Sequence, residues 1–440
     1  MVEARAILFS SPEKHEGIAM KVESQQTQSI FRTSLVSQGF WRRQVLKTLA
    51  QIQVGRLQFY EHEHLLLEVG QDENEQTARV NVRSEATYRA IALGGAIGAA
   101  EAYMDGDWES PDLLLVLELF LRNRQVLEAL GSRWVWLRKP MLQFQHWMNR
   151  DTEAQSKRNI AKHYDLGNAF FEKFLDETMM YSSGYFSNPE ASMREASVKK
   201  LDLICQKLRL SKDDHVIEIG SGWGGFACHA AHKYGCKVTT TTISEAQFER
   251  TQERVEALGL QDRVTILKQD YRRLEGRFDK LVSIEMIEAV GLSYLPQFFE
   301  VCARLLKPGG EMLLQAITIA EQRFEAAKRS VDFIQRYIFP GGALASVAEL
   351  TRVSAGAGPG LRVYALEDIT PHYALTMAGW RAMFERNVEP ITALGMSDTF
   401  LRMWRYYFCY CEAGFRQRAI GCVQMQFHLP DFTFELLDSE

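Results

Sequence analysis

Val216-Ile217-Glu218-Ile219-Gly220-Ser221-Gly222-Trp223-Gly224-Gly225 is a short apolar run that ends in an acid and opens into a glycine-rich loop. A helical pattern follows over 224–233, and Lys237-Val238-Thr239-Thr240-Thr241-Thr242 reads as a second strand. The alternation continues with a helix at 246–258, a strand at 264–267, a strand opening at Phe278, a helix at 296–305 and a strand at 311–315. Strands separated by helices of this length predict an open parallel sheet covered on both faces. The expected fold class is α/β, doubly wound and Rossmann-like.

The loop after the first strand is where chemistry is expected. Glycine lets backbone amides approach a ligand that side chains would block. Dinucleotide, nucleoside and phosphate sites all use such a loop, so three further details matter. Glu218 would repel a pyrophosphate but suits a cationic amino-acid moiety. The second strand ends in Thr241-Thr242-Ile243-Ser244, without a ribose-binding acid. After the third strand, Gln269-Asp270-Tyr271 offers an acid and a ring that could bracket an adenine. With Lys307-Pro308-Gly309-Gly310 before the fifth strand, this order resembles class I S-adenosylmethionine-dependent methyltransferases more than dehydrogenases.

Outward from this region the chain divides into four parts. Residues 1–42 are polar and read as an arm. Residues 43–130 form a small α+β unit, with strands at 55–60, 64–70 and 77–82 and helices around 84–93 and 111–130. The stretch 131–156 holds Arg133, Arg138, Lys139 and Arg150 up to residue 150 without an acid, and three of the chain's eight tryptophans, Trp134, Trp136 and Trp147. Indoles beside cations suit a membrane interface, though an interdomain helix packing its tryptophans reads equally from the pattern. Residues 157–440 carry the α/β region.

Composition bounds the partners. The chain has 440 residues, 46% hydrophobic and 24% charged, and a net charge of −5 from 51 basic and 56 acidic residues. That is globular composition, and it excludes a strongly basic nucleic-acid binder. No apolar run approaches the roughly 20 residues of a membrane span. The expectation is a soluble cytoplasmic protein that meets any membrane from its surface. The seven cysteines contain no C-x-x-C pair and read as core thiols. His229 and His232 lie three apart with no evident third ligand, so no metal site is expected.

His163-Tyr164-Asp165-Leu166-Gly167-Asn168, Met180-Tyr181-Ser182-Ser183-Gly184-Tyr185-Phe186, Ile284-Glu285-Met286-Ile287-Glu288-Ala289-Val290-Gly291 and Tyr337-Ile338-Phe339-Pro340-Gly341-Gly342 together resemble the cyclopropane-fatty-acyl-phospholipid synthases. The resemblance extends to the small unit, where Gly98, Glu101, Tyr103 and Gly106-Asp107-Trp108 look like the lipid-facing domain of full-length bacterial members. It implies methylene transfer from S-adenosylmethionine to the double bond of an unsaturated acyl chain in membrane phospholipid. It carries cofactor contacts to Tyr181, Ser182, Gly220, Gly222, Thr242, Gln247 and Asp270. It carries a bicarbonate ion, the proton acceptor, to a cradle of Ser183, Glu288, Gln315 and Tyr373, with Glu288 holding the anion.

Three positions depart from that pattern. Ser183 stands where the family usually has Cys, Gln315 where many members have His, and Ala289 where His commonly follows the glutamate. Gln cannot titrate near neutrality. A cyclopropane ring and a methyl-branched or methylene chain therefore both remain as products, and a small-molecule N-methyltransferase is the competing activity. A homodimer, presenting two docking surfaces to one membrane, is the expected assembly.

Overall fold

The computed structural model describes residues 39–71, 76–132, 167–358 and 360–431. Most of the polar arm, the basic and aromatic stretch from 133 onward, and residues 163–166 of the first family motif lie outside the described residues.

One boundary moves at once: helix α1 (Phe40–Leu49) begins inside the expected arm and buries Val45, Leu46 and Leu49. The three expected strands form as read. They are β1 (Gly55–Glu61), β2 (His64–Gln71) and β3 (Thr77–Val82), joined by a short β4 (Trp108–Glu109) in the order β2-β1-β3-β4. Leu57, Phe59, Val80 and Val82 alternate onto the buried face, as a half-covered sheet requires. The helix expected around 84–93 runs on through the glycines as α2 (Ala86–Met104), kinked at Gly95 with φ 56°, and the one expected at 111–130 divides in two. A Cβ on Gly98 would lie 1.9 Å from the Ala90 carbonyl oxygen, so glycine is what keeps the kink closed. Helices α3 (Leu113–Arg122) and α4 (Arg124–Ser132) complete this unit.

The second sheet has seven strands: β5 (His215–Ile219), β6 (Lys237–Thr242), β7 (Val264–Lys268), β8 (Phe278–Ile284), β9 (Leu306–Ile319), β10 (Arg362–Asp368) and β11 (Ile420–His428). Their order is β10-β11-β9-β8-β5-β6-β7. β5 to β9 run parallel, but β11 lies antiparallel to both of its neighbours, so the sheet is mixed where a parallel one was expected. Short α5 (Asn168–Phe171) and α6 (Met193–Lys207) precede β5. The later helices are α7 (Gly225–Tyr234), α8 (Glu245–Ala257), α9 (Leu295–Leu305), α10 (Glu321–Ala327), α11 (Val347–Ala355), α12 (Thr370–Arg386), α13 (Val388–Ala393) and α14 (Asp398–Arg416). Serine caps start several of them. Ser192 and Glu195 form a reciprocal capping box on α6, and Ser244 caps α8.

From β5 the chain builds β6 and β7 on one side, then crosses to place β8 on the other. That reversal opens a crevice at the carboxyl ends of β5 and β8, where open α/β sheets bind ligands.

The small unit and the large one share one apolar core. A single cluster of buried side chains runs from Val45, Leu57 and Tyr88 through Phe170, Phe174 and Trp404 to Cys422. Polar contacts reinforce the joint. The Arg402 guanidinium on α14 donates to the carbonyls of Tyr103 (2.5 Å) and Trp108 (2.9 Å) and lies 4.3 Å over the Tyr103 ring. Glu101 accepts from the Tyr337 hydroxyl at 2.7 Å and pairs with Arg336 at 3.0 Å.

Candidate active site

A cavity of about 1740 Å³ opens at the crevice. Small-ligand sites are roughly 300–1,000 Å³, so this space exceeds what one small molecule fills. One part is polar and is lined by Gly220, Gly222, Thr242, Gln247 and Asp270. Another is apolar, with Ile317, Ile319, Ile334, Phe339 and Met377, and the small unit adds Leu121.

The polar part assembles at strand ends. Gly220 follows β5 with φ 97°, and a Cβ there would meet the Met286 side chain at 3.0 Å. Glu218, the penultimate residue of β5, is buried and accepts from the Thr240 hydroxyl at 2.5 Å. Burial pushes its carboxyl up to about 8, against the opposing hydrogen bond and the Lys200 charge. A cationic ligand group beside it would favour the ionised form. Thr242 ends β6 and donates to the Gln247 side chain at 2.8 Å. Asp270 holds its own loop by accepting from Arg272 at 2.9 and 2.6 Å while still lining the cavity. Tyr181 and Ser182 line the wall between the two parts, and the Tyr181 and Tyr407 hydroxyls are 3.0 Å apart. All seven expected cofactor residues thus face one space. A cleft with a buried acid, glycine amides and paired hydroxyl and amide groups fits S-adenosylmethionine.

The expected anion cradle assembles around a different residue from the one expected. Ser183 N–H donates to Glu285 Oε1 at 2.9 Å, Gln315 Nε2 donates to the same oxygen at 2.7 Å, and the Tyr373 hydroxyl donates to Oε2 at 2.7 Å. Ser183 and Gln315 stand behind the carboxylate, fully buried, while Glu285 and Tyr373 face the cavity. Each donor is itself fixed. The Ser183 hydroxyl is turned away onto the Gly184 carbonyl, so the backbone makes the contact. Gln315 accepts from Gln424 Nε2 at 2.9 Å, which orients its amide nitrogen toward Glu285. Tyr373 on α12 stacks on Phe415 at 4.1 Å. Glu285 adopts φ 49°, a left-handed conformation that suits glycine and costs a glutamate on the order of 1–3 kcal/mol.

Glu288 is three residues on and makes none of these contacts. Its Oε1 accepts from Ile317 N–H at 2.6 Å, and its Oε2 is buried without a hydrogen-bond partner among the described residues. Both carboxyl groups keep some surface toward the cavity but lie far from bulk solvent, and burial raises both. Glu288 is pushed up to about 8, by burial first and then by the Glu285 charge. Glu285 is raised by burial and pulled back by the Lys200 charge and its three hydrogen-bond donors. Two acids so placed divide their roles, one held as the anion and the other as the neutral acid.

The sequence matches the family described as Mycolic acid cyclopropane synthetase over residues 151–425, more than half of the chain. The chain belongs to the mycolic acid cyclopropane synthetase family. It is an S-adenosylmethionine-dependent methyltransferase. Over 349 residues it is 38% identical to tuberculostearic acid methyltransferase UfaA1 of Mycobacterium tuberculosis, covering 78% of this chain and 81% of that one. The cyclopropane-fatty-acyl-phospholipid synthase of Escherichia coli is 34% identical over 363 residues, 80% of this chain and 87% of its relative. Among solved structures, mycolic acid cyclopropane synthase CmaA1 complexed with SAH and CTAB superposes with a TM-score of 0.58 at 30% identity, covering 62% of this chain and 98% of that one. Coclaurine N-methyltransferase, at 17% identity and a TM-score of 0.56 over 74% of this chain and 98% of its own, shares the fold alone.

Family members that follow the expected pattern would hold bicarbonate with donors that this chain spends on Glu285. Among the described residues, the three donors mapped to the anion already meet a carboxylate, and Glu285, held as the anion, would repel a second one. The residues present do not fit a bicarbonate ion unless Glu285 swings away. Sequence reasoning quoted Glu285 within its motif but gave it no role. Gln424 was also missed, although it faces Gln315 across the β9–β11 ladder. Of the histidine pair, His229 Nε2 lies 2.7 Å from Asp202 Oδ1.

Proposed function

We propose that the protein transfers the methyl group of S-adenosylmethionine to a double bond in an unsaturated phospholipid acyl chain and uses Glu285 to remove the proton that completes the product. The observation that carries this is the convergence of Ser183, Gln315 and Tyr373 on a carboxylate that faces a long cavity.

The cofactor, when bound, supplies an electrophilic methyl group. The chain's own residues do the rest. Glu218 would meet the positively charged end of the cofactor, and Thr242 and Gln247 would offer it polar groups. The apolar wall around Ile317, Ile319 and Met377 holds the alkene and excludes water, which matters because an alkene is a weak nucleophile. Methyl transfer leaves a cation on the neighbouring chain carbon, and few polar side chains in that part of the cavity are free to trap it. Glu285 then accepts a proton from the transferred methyl group, and the electron pair of that C–H bond closes the ring. A hydride shift toward the cation before the same proton loss gives a methylene chain. The 38% identity to a tuberculostearic acid methyltransferase favours keeping that second product.

Among the described residues no helix is long and apolar enough to cross a membrane. Peripheral docking through 131–156 belongs to this reading. Incubation with S-adenosylmethionine and vesicles of a monounsaturated phospholipid tests it. The reading expects acyl chains one CH2 unit heavier, with ring or vinylidene signals in the proton spectrum. Methylation of an amine with untouched lipid would overturn it.

A further inference from the structure

Helix α6 buries a stripe of Ala196, Ser197, Leu201, Ile204 and Cys205, and in the middle of it lies Lys200, fully buried. Lysine is almost never buried without a partner, because an ammonium in a low-dielectric interior is costly. Its described hydrogen bond is to the Ser182 hydroxyl at 2.6 Å. A hydroxyl satisfies one proton and neutralises no charge. Burial pulls the ammonium down to about 8, and what holds it there against further loss is the charge of acids at a distance, first Glu285, then Asp176, with Cys422 and Glu218 behind them. Conversely, Lys200 is the strongest of the influences that favour ionised Glu285.

The geometry explains that coupling. Ser182 holds the ammonium, and the next residue, Ser183, donates its N–H to Glu285. Two successive residues thus tie the buried cation to the carboxylate. The segment is held against α6 by the Tyr185 N–H bond to the Ala196 carbonyl at 2.9 Å, with Gly184 leaving space for the Ala196 methyl. Among the described residues, the titratable groups facing Glu285 are Lys200, Glu288, Tyr373 and Cys422, of which Lys200 alone is positive.

We propose that Lys200 is a positioning residue for the reaction, whose ammonium, seated on Ser182, keeps the Glu285 carboxylate in its proton-accepting form. The proposal rests on the reading of Glu285 as the base. Lys200 touches neither lipid nor cofactor and acts through that carboxylate. Its removal therefore changes the pH at which the base is ready, and not the chemistry it performs.

The test is the pH profile of kcat/KM for wild type, Lys200→Met and Glu285→Gln, on monounsaturated phospholipid vesicles. Methionine matches the length of the lysine stem; because removing one partner of a buried charge pair is destabilising, folding of the variant is checked by its thermal transition. The acid limb of Lys200→Met is expected to move upward by at least one pH unit, so that at the wild-type midpoint its activity falls about fivefold or more below wild type, with recovery at higher pH. Loss of activity that is uniform across pH, or a limb that stays in place, overturns the proposal. A limb that vanishes in Glu285→Gln but stays in place in Lys200→Met removes only the role of Lys200. A limb that persists in Glu285→Gln belongs to another group and removes the reading of Glu285 itself. Should Lys200→Met fail to fold, Lys200→Gln gives the same readout.

Discussion

Replacing Glu285 by Gln removes the base while leaving the site nearly intact. The glutamine oxygen can take the place of Oε1 and accept from Ser183 N–H and Gln315 Nε2, as the carboxylate does at 2.9 and 2.7 Å. Its amide then faces the Tyr373 hydroxyl, which can turn to accept. Fold and cofactor affinity should therefore hold, and the loss should fall on kcat. A positioned general base contributes about 10²–10⁴-fold, so kcat should drop by that factor, roughly 3–5 kcal/mol of barrier. Glu285→Gly is the informative partner. It relieves the left-handed strain at φ 49° but strands three donors, each costing about 1–3 kcal/mol when buried without a partner. Those donors face a hole shaped for a small carboxylate. Added acetate, formate or bicarbonate should restore turnover to Glu285→Gly and not to Glu285→Gln, whose side chain fills the hole. The assay is release of demethylated cofactor with lipid vesicles, alongside calorimetric cofactor binding. A Glu285→Gln enzyme with kcat within threefold of wild type refutes the reasoning.

Two further outcomes follow from the buried acids. Glu218 is held up near 8 in the free protein, so a cationic cofactor that prefers its ionised form should release protons on binding near pH 7. Titration calorimetry in buffers of different ionisation enthalpy reads that release, which should shrink in Glu218→Gln; equal release in both proteins contradicts the assignment. Glu288 bears on stability. Its folded value, near 8, lies above its unfolded one, so its contribution is fully present below about pH 4.5 and is lost as pH rises through 8. That contribution is at most ~5 kcal/mol. Glu288→Gln should therefore raise Tm relative to wild type more at pH 9 than at pH 6, and an equal shift at both would count against a neutral Glu288.

Much of the catalytic sheet was legible because β5, β6 and β7 are short runs of strand-forming residues separated by helices α7 and α8. The glycine loop, Thr242 and Asp270 lie at strand ends in that order, Gln247 came with the family resemblance, and the cavity gathers them all. The mixed sheet was less accessible, since β11 pairs with β9 across a hundred residues and pairing direction leaves no local mark. The kink at Gly95 looked like a break because adjacent glycines end helices more often than they bend them. The centre of the site shifted for a sharper reason. Glu285 and Glu288 are three residues apart in one motif, and resemblance favoured the second. Which one meets Ser183, Gln315 and Tyr373 depends on a left-handed backbone at residue 285, a conformation that no side-chain pattern announces. Lys200 did leave a signal, as a lone lysine inside the apolar stripe of α6.

The central claim is that the transferred carbon itself gives up a proton to the protein. S-adenosylmethionine carrying a trideuterated methyl group, turned over with monounsaturated phospholipid, tests this directly by the mass of the modified acyl chain. Retention of two deuterium atoms is predicted for wild type, whether the product is a ring or a methylene chain. Retention of all three, on lipid or on an amine, would mean that no proton leaves that carbon and would contradict the account.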